Sequence, residues 1–310
     1  MVSQKSYFLT CTDGHKMPVY AWLPDAAPTC VLHIAHGMAE YALRYHPIAE
    51  MLVQQGFAVY AHDHRAHGKA VASTDLQGIA EKDWFYKKVE DIHLMMLHLR
   101  TEYPNQKIFL MGHSMGSFLC QRFFQIHGTD IDGLILSATN GKNDPLMGFG
   151  IAVAWLQMKL FGHNYRSRLI DKLSFQKFNK GFAPNRTAHD WLSRDANEVD
   201  KYVADPQCGW VSSATFFYYF FKGIRDAFSK ENIRHIPVDI PVYAFAGDKD
   251  PVGLEGKGFI QMINNWKAAG AKDISYKLYP DGRHEMLNDI NRAGVVGDLV
   301  AWMMKHVYHH

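Results

Sequence analysis

Short runs of apolar, often β-branched residues alternate with longer amphipathic segments along most of the chain. The runs predict strands, and the segments predict helices because their apolar residues recur every three or four positions. In the predicted helix Asp83–Tyr103, four apolar residues have this spacing: Val89, Ile92, Met96 and Leu99. The alternation is typical of an α/β protein, in which crossover helices join parallel strands.

Eight strands are predicted from these runs. The first two flank the Asp13-Gly14 turn and are expected to form a hairpin at the sheet edge, and the others suit a mostly parallel sheet. The strands are Ser6–Cys11, Pro18–Leu23, Cys30–Ala35, Phe57–Ala61, Lys107–Met111, Gly133–Ser137, Val242–Ala246 and Ile274–Leu278. The further predicted helices include His46–Gln55, Ile151–Phe161, Lys257–Ala269 and Asn291–Val307.

The alternation stops between about residues 140 and 237, where no strand is predicted. This stretch is helical and irregular, and it contains an unbroken aromatic run from Phe216 to Phe221. Roughly 100 residues is long for a loop, so the pattern favours a small helical cap inserted into the core. The predicted organisation is a core over 1–139, a cap over 140–237 and the remaining core over 238–310.

Composition indicates a globular protein and argues against nucleic acid as a partner. Hydrophobic residues make up 47% of the 310 residues, and the net charge is +2 with both signs interspersed. The N-terminal residues do not resemble a secretory signal, and no apolar stretch is long enough to span a bilayer. The cysteines form no CxxC pair, so we expect reduced thiols in a cytoplasmic protein: Cys11, Cys30, Cys120 and Cys208.

Histidine is unusually frequent, with 18 residues in the chain. The last two, His309 and His310, are interpreted as remnants of a purification tag and are excluded from the prediction. A structural or surface role is the ordinary expectation for any one of the others. Chemistry must therefore be assigned from position in the fold and not from residue type alone.

The clearest chemical motif is Gly112-His113-Ser114-Met115-Gly116, which fits G-x-S-x-G. Such a turn between a strand and a helix holds the serine in a strained conformation with its hydroxyl exposed, and a side chain at either glycine would clash. The motif alone is weak. Here an apolar strand precedes it and a helix with four apolar residues follows, which favours Ser114 as a nucleophile over a chance match.

A serine hydroxyl needs a base, and this type of fold supplies the partners in the order serine, acid, histidine. Asp248 and Asp250 follow one predicted strand, and His284 follows the last strand. Both loops therefore lie at the carboxyl edge of the sheet, where ligands bind. His284 is predicted to be the general base and later the general acid. Either aspartate could orient it, and chemistry does not separate them.

A nucleophilic serine also requires an oxyanion hole, which is built from two backbone N–H groups. We expect one from Met115, the residue after the nucleophile, and the second from Met38 in the loop after the third strand. Gly37 would let that backbone approach the substrate closely. An ordinary turn at the end of a strand is the alternative for the segment around Gly37.

The chain resembles the monoacylglycerol lipases and bacterial lysophospholipases among the serine α/β-hydrolases. The similar segments are His36–Glu40 with Arg44-Tyr45, Asp63–Gly68, Gly112–Gly116, Ser193-Arg194 through Asp205-Pro206, Gly247–Val252 and Gly282–Leu287. The resemblance implies the α/β-hydrolase fold with a cap over an acyl pocket. It assigns Ser114, Asp250 and His284 as a catalytic triad and Met38 and Met115 as oxyanion donors. Asp250 is preferred to Asp248 because the family's acid is the last residue of a Gly-x-x-Asp segment, which matches Gly247–Asp250.

Three positions depart from the family pattern. The family usually has a small residue in place of Met38 and glycine in place of Ala39 and Ala66. A backbone donor tolerates the first change, although the methionine side chain is expected to narrow the pocket. None of the three changes falls on the triad.

The function expected from these features is carboxylic ester hydrolysis through an acyl-enzyme, with no metal or organic cofactor. By resemblance, the substrates are medium- or long-chain acyl monoesters such as monoacylglycerol or lysophospholipid. An aromatic cap suits an acyl chain, although most of its aromatic residues are expected to form the cap's own core. The predicted substrate contacts are Gly37, His113, Phe217 and Phe220. Transient membrane contact through Ile151–Phe161 is a lesser expectation.

Two alternatives remain at the level of sequence. The same fold supports other reactions, including those of aminopeptidases and perhydrolases, and a strongly acidic cap pocket would favour the peptidase. Acids that could supply it occur in the cap: Asp195, Glu198, Asp200 and Asp205. The other alternative is a ligand-binding homologue without turnover, which an intact Ser–Asp–His set argues against.

Overall fold

The short apolar runs form a single sheet in a computed structural model that describes residues 3–144, 146–175 and 177–308. His309 and His310 lie outside the described residues. The strands are β1 (Ser3–Thr10), β2 (Lys16–Leu23), β3 (Cys30–Ala35), β4 (Phe57–His62), β5 (Lys107–His113), β6 (Gly133–Ser137), β7 (Val242–Gly247) and β8 (Ile274–Tyr279). All eight predicted strands are confirmed, with shifted ends at most of them.

The strand order is β1-β2-β4-β3-β5-β6-β7-β8. The β1–β2 hairpin is antiparallel and lies at the edge as predicted, β2 also pairs antiparallel with β4, and all other pairs are parallel. Register places His113 beside Ser137, and Ser137 beside Phe245. The carboxyl ends of β5, β6 and β7 therefore share one edge of the sheet, and the loops that follow them lie together.

Helices cover both faces of the sheet. Their bounds are α1 (His46–Val53), α2 (Trp84–Glu102), α3 (Met115–His127), α4 (Leu146–Phe161), α5 (Arg168–Ser174), α6 (Ala196–Ala204), α7 (Ala214–Ala227), α8 (Lys230–Ile233), α9 (Lys257–Ala268) and α10 (Arg292–Tyr308). The predicted helix Ile151–Phe161 is wrong at its start, since α4 begins at Leu146. Gly148 and Gly150 have low helix propensity, so the sequence pattern did not predict the first turn of α4.

The segment between β6 and β7 contains α4 to α8, and its described residues form no strand, as expected. Its helix α7 is not confined to a separate core. Phe216, Phe220 and Ile224 of α7 belong to the same apolar cluster as Phe85 of α2 and Phe118 of α3. Burial of this face anchors the inserted segment on the sheet-covering helices. The boundaries at 139/140 and 237/238 stay a prediction.

Among the described residues, the helices are all too short or too polar to cross a membrane. The longest, α2, has 19 residues and carries charged side chains on its outer face.

We expect Gly223→Ala to destabilise the protein. A Cβ at Gly223 would lie 2.2 Å from Cγ of Phe85, where α7 meets α2, so the buried ring would have to move. Overpacking of this kind costs about 1–3 kcal/mol of unfolding free energy. Urea denaturation of the variant measures the loss.

Gly148→Ala in α4 is the matched control for Gly223→Ala. A Cβ there meets no atom within 4 Å, and alanine is the better helix former, so stability should stay equal or rise slightly. Equal unfolding free energies for Gly223→Ala and the wild type would contradict the packing described for α7.

Candidate active site

Ser114 lies in a strained turn between β5 and α3. Its backbone angles are φ 50° and ψ −118°, a conformation that L-residues rarely adopt. A Cβ at Gly112 would lie 2.4 Å from the carbonyl oxygen of Gly116, and one at Gly116 would lie 2.0 Å from that of Ala35. Both glycines of the motif are therefore required by close backbone packing, as the strand–turn–helix prediction supposed.

Asp250 contacts His284 in the interior of the protein. The Nδ1 of His284 lies 2.9 Å from Oδ1 of Asp250, and both residues are buried. The same Asp250 oxygen accepts a hydrogen bond from the Val252 backbone N–H at 2.9 Å. Because a carboxylate only accepts, the proton of the neutral imidazole lies on Nδ1 and leaves Nε2 with its lone pair.

Asp248 is placed elsewhere. Its side chain is partly exposed and lies 3.8 Å from Nζ of Lys249, and its backbone N–H donates to Tyr279. The geometry thus distinguishes the two aspartates that the chemistry of the sequence left open: only Asp250, of these two, contacts the imidazole.

The environment of His284 favours its charged form. Burial, the largest single influence, lowers the pKa of the imidazole, but the charge and hydrogen bond of Asp250, together with the nearby Glu285 and Glu40, raise the pKa above its ordinary value. The rings of His113 and Trp191 each lie 4.9 Å from the His284 ring, centroid to centroid. A buried imidazole with a paired carboxylate can take up a proton during a reaction without leaving an isolated charge.

His36 fixes the peptide that joins Gly37 to Met38. Its Nε2 accepts a hydrogen bond from the His64 backbone N–H at 3.0 Å, so the ring proton must lie on Nδ1, which donates to the Gly37 carbonyl at 2.8 Å. Burial lowers the pKa of His36 well below its usual value and keeps this tautomer neutral. In a trans peptide the Met38 N–H points opposite to the held carbonyl.

A buried network of charged side chains holds the backbone N–H of Gly37. Its backbone N–H donates to Oε1 of Glu40 at 2.5 Å, and Arg44 donates to Glu40 at 2.6 Å. Arg44 also contacts both carboxylate oxygens of Glu285, at 2.9 and 2.8 Å. Glu285 follows His284 in the chain, so one guanidinium ties the Met38 loop to the histidine loop.

The charges in this network compensate one another. Burial alone would raise the pKa of Glu285, but the charge and hydrogen bonds of Arg44, with further contributions from His113 and Asn288, lower the pKa to about 2. Burial raises the pKa of Glu40, with Arg44 opposing. Removal of Arg44 would leave two buried acids without a cation, a change that typically costs about 3–5 kcal/mol.

The inserted segment covers the histidine loop through its backbone. The carbonyl of Leu192 accepts the Glu285 N–H at 2.7 Å, and that of Trp191 accepts the His284 N–H at 3.4 Å. Ser193 donates its hydroxyl to the Asn288 carbonyl at 2.8 Å. These bonds hold the 191–193 segment directly over the imidazole.

A cavity of about 430 Å³ opens beside Ser114. Its lining includes all the predicted site residues except the buried Asp250: Gly37, Met38, His113, Ser114, Met115, Phe217, Phe220 and His284. In the part of the chain that the structure describes, no hydrogen-bond acceptor takes the N–H of Met38 or Met115. Both amides are therefore available to a ligand in the cavity.

The aromatic residues of the inserted segment divide between three places. Nine line the cavity: Phe175, Phe178, Trp191, Tyr202, Trp210, Phe217, Phe220, Phe221 and Phe228. Trp155 and Phe161 are exposed on the outer surface of α4, and Phe216 lies in the main core. The four cap acids considered for an amine pocket lie outside the cavity lining: Asp195, Glu198, Asp200 and Asp205.

Sequence reasoning missed the positioning roles of His36, Glu40, Arg44 and Glu285. All four lie inside segments that carried the family resemblance. Their proximity to the chemical motifs was a signal, but no pattern in the sequence indicated that Arg44 would contact Glu285, which lies 241 positions further along the chain.

Comparison with known proteins gives one consistent family. Residues 26–291 match the family model described as serine aminopeptidase, S33. The monoglyceride lipase of Homo sapiens is 32% identical over 282 residues, which cover 91% of this chain and 84% of that protein. The monoacylglycerol lipase of Mycolicibacterium smegmatis is 26% identical over 297 residues and covers 95% of each chain.

Solved structures agree in fold. The thermostable carboxyl esterase from Bacillus coagulans, in complex with glycerol, superimposes with a TM-score of 0.87 at 25% identity. The match covers 99% of this chain and 100% of the esterase. The predicted α/β-hydrolase fold, with its mostly parallel sheet and flanking helices, is confirmed.

Proposed function

Since the chain belongs to the monoglyceride lipase-like branch of the serine α/β-hydrolases, we propose that it hydrolyses medium- or long-chain acyl monoesters. Ester hydrolysis by a serine enzyme follows from the family. The substrate class, with monoacylglycerol or lysophospholipid as its candidates, is the part proposed here. One observation carries it: the His284–Asp250 pair and the strained Ser114 meet at a cavity whose surface is mainly aromatic and aliphatic.

In the proposed mechanism, Ser114 Oγ attacks the ester carbonyl carbon while His284 Nε2 takes the hydroxyl proton. Asp250 keeps the other ring proton on Nδ1 and stabilises the imidazolium that forms. The carbonyl π electrons move onto oxygen, and the Met38 and Met115 N–H groups donate to that oxyanion. His36 supports the step by holding the Gly37 carbonyl in its observed orientation.

Collapse of the tetrahedral intermediate expels the alcohol, which takes the proton from His284 Nε2 and leaves an acyl ester on Ser114. Water then enters, gives a proton to His284 and attacks the acyl carbon. The second intermediate releases the carboxylic acid and returns the proton to Ser114 Oγ. The raised pKa of His284 suits a group that must hold this proton between the two transfers.

A fluorophosphonate probe should modify wild-type protein at Ser114, because the strained turn exposes an activated hydroxyl. Intact-protein and peptide mass spectrometry locate the adduct. Asp250→Asn should slow labelling and ester turnover by roughly 10⁴-fold, since the carboxylate that fixes the imidazole tautomer is lost.

Asp248→Asn is the matched control for Asp250→Asn, because it changes an aspartate two positions away that has no contact with His284. It should label and turn over at close to the wild-type rate. Labelling at another serine, or equal effects of the two substitutions, would refute the assigned triad.

Two observations bear on the choice between ester and peptide substrates. The matched family model is described as a serine aminopeptidase, yet the four acids that could form an amine pocket do not line the cavity. Four carboxylates do line it: Glu40 and Glu285, which Arg44 compensates, and Asp144 and Asp171 of the inserted segment. Burial raises the pKa of Asp171 and so disfavours its charged form, and most of the lining is aromatic or aliphatic. This lining suits an acyl chain, which supports the esterase.

A series of p-nitrophenyl esters assayed beside aminoacyl anilides tests the substrate class. We expect kcat/KM to rise from acetate to medium chains, because each buried methylene contributes about 0.8 kcal/mol, or roughly fourfold. Anilide cleavage should be slower by orders of magnitude. A strict preference for acetate would exclude the lipase-like substrates, and efficient anilide cleavage would favour the aminopeptidase.

We propose further that α4 contacts the surface of the lipid aggregate that delivers the substrate. Met147 of α4 lines the cavity, while the helix exposes a group of large apolar side chains: Leu146, Phe149, Trp155, Leu156, Leu160 and Phe161. Such patches mark interaction surfaces. A lipid surface fits because the helix carries few charges and borders an apolar cavity. That the protein is cytoplasmic remains a prediction from the sequence.

Co-sedimentation with phosphatidylcholine vesicles tests the contact. The double variant Phe161→Ser/Leu160→Ser should lower vesicle binding by at least about tenfold, since burial of one large apolar side chain contributes about 1.5–3 kcal/mol. Phe8→Ser in β1 is the control, because Phe8 is 61% exposed and Phe161 60%. Equal binding of both variants and the wild type would rule out α4 as the contact.

A further inference from the structure

We propose that Glu90, His93 and His127 form a binding site for a divalent transition-metal ion, with Zn²⁺ as the favoured ion. One ligand atom from each residue lies within 4.8 Å of the others. The site joins α2 to the C-terminal end of α3. Because α3 has 13 residues, His127 lies roughly 18 Å along the helix from Met115, so this site is separate from the esterase cavity.

The two helices present the ligands to one another. Glu90 and His93 are three positions apart on α2, which places a carboxylate and an imidazole on the same face. Glu90 reaches both histidines, with Oε1 at 3.1 Å from Nε2 of His127 and Oε2 at 3.8 Å from Nδ1 of His93. The two imidazole rings stack with centroids 3.7 Å apart and an angle of 11°.

Asp130 orients the His93 ring through a hydrogen bond, as an outer carboxylate does in many metal sites. Its Nε2 lies 2.9 Å from Oδ2 of Asp130, so the imidazole donates there and its Nδ1 keeps a lone pair on the side of Glu90. A carboxylate that accepts from the far nitrogen of a histidine is the usual outer partner of a metal-bound imidazole. This contact is independent of the three ligands and supports the assignment.

The donor set selects the class of ion. Two imidazoles and one carboxylate suit Zn²⁺ and its neighbours in the first transition row, whereas Mg²⁺ and Ca²⁺ prefer oxygen ligands alone. Three protein ligands leave a position for water. Binding requires the two stacked rings and Glu90 to converge on one point, and the Glu90 side chain, which is 57% exposed, is the ligand free to adjust.

Titration of the full chain with zinc chloride, in competition with a chromogenic chelator, tests the site. We expect one zinc ion per chain to be lost in the double variant His93→Ala/His127→Ala. Asp130→Asn should weaken binding about 10–100-fold, because outer partners of metal-bound histidines have effects of that size. Thermal unfolding should show a zinc-dependent rise in Tm for the wild type but not for the double variant.

His98→Ala is the matched control, since His98 lies on the same helix but contacts only Tyr7 and Glu102 among the groups that hydrogen-bond or pair with it in the described chain. It should bind zinc as the wild type does. Metal-free unfolding of each variant shows whether it is folded. Absence of zinc binding, or undiminished binding by a folded double variant or a folded Asp130→Asn, would overturn the proposal.

Discussion

The candidate active site depends on backbones that approach one another more closely than any side chain would permit. At Gly116, a Cβ would lie 2.0 Å from the carbonyl oxygen of Ala35, so the first turn of α3 packs directly on the end of β3. At Gly247, a Cβ would lie 2.0 Å from the carbonyl oxygen of Gly282. The first contact brings the Met38 loop beside Ser114, and the second brings the loop of Asp250 beside that of His284.

Close packing at the glycines sets the distance between loops, and charged side chains then set their orientation. Arg44 holds Glu40 on one side and Glu285 on the other. Glu40 in turn accepts the Gly37 N–H. Burial of an arginine with two carboxylates costs desolvation free energy. The network is rigid once formed, because loss of any partner leaves an uncompensated charge. The loop that carries Met38 and the loop that carries His284 therefore cannot move independently without breaking this network.

Much of the fold and the core of the candidate site could be predicted from the sequence because both depend on short-range patterns. Buried parallel strands appear as apolar runs, and the turn at Ser114 needs glycines at fixed offsets. The helix α7 shows where the pattern of apolar residues fails to predict which side chains enter the core. Its aromatic run is apolar on all sides, so periodicity could not indicate that Phe216 enters the main core while Phe217 lines the cavity. Contacts such as Arg44–Glu285 join distant segments and leave no local trace.

Part of the high histidine content has a structural explanation beside the candidate site. His33, His62 and His64 form a buried chain, with ring nitrogens 2.9 Å and 3.0 Å apart, and the backbone of His64 donates to His36. A neutral imidazole has one donor and one acceptor, so successive rings can satisfy each other where no water enters. Burial keeps the pKa values of these histidines low. In neutral His36, the bond from the His64 N–H then fixes the tautomer that holds the Gly37 carbonyl, and through it the direction of the Met38 amide.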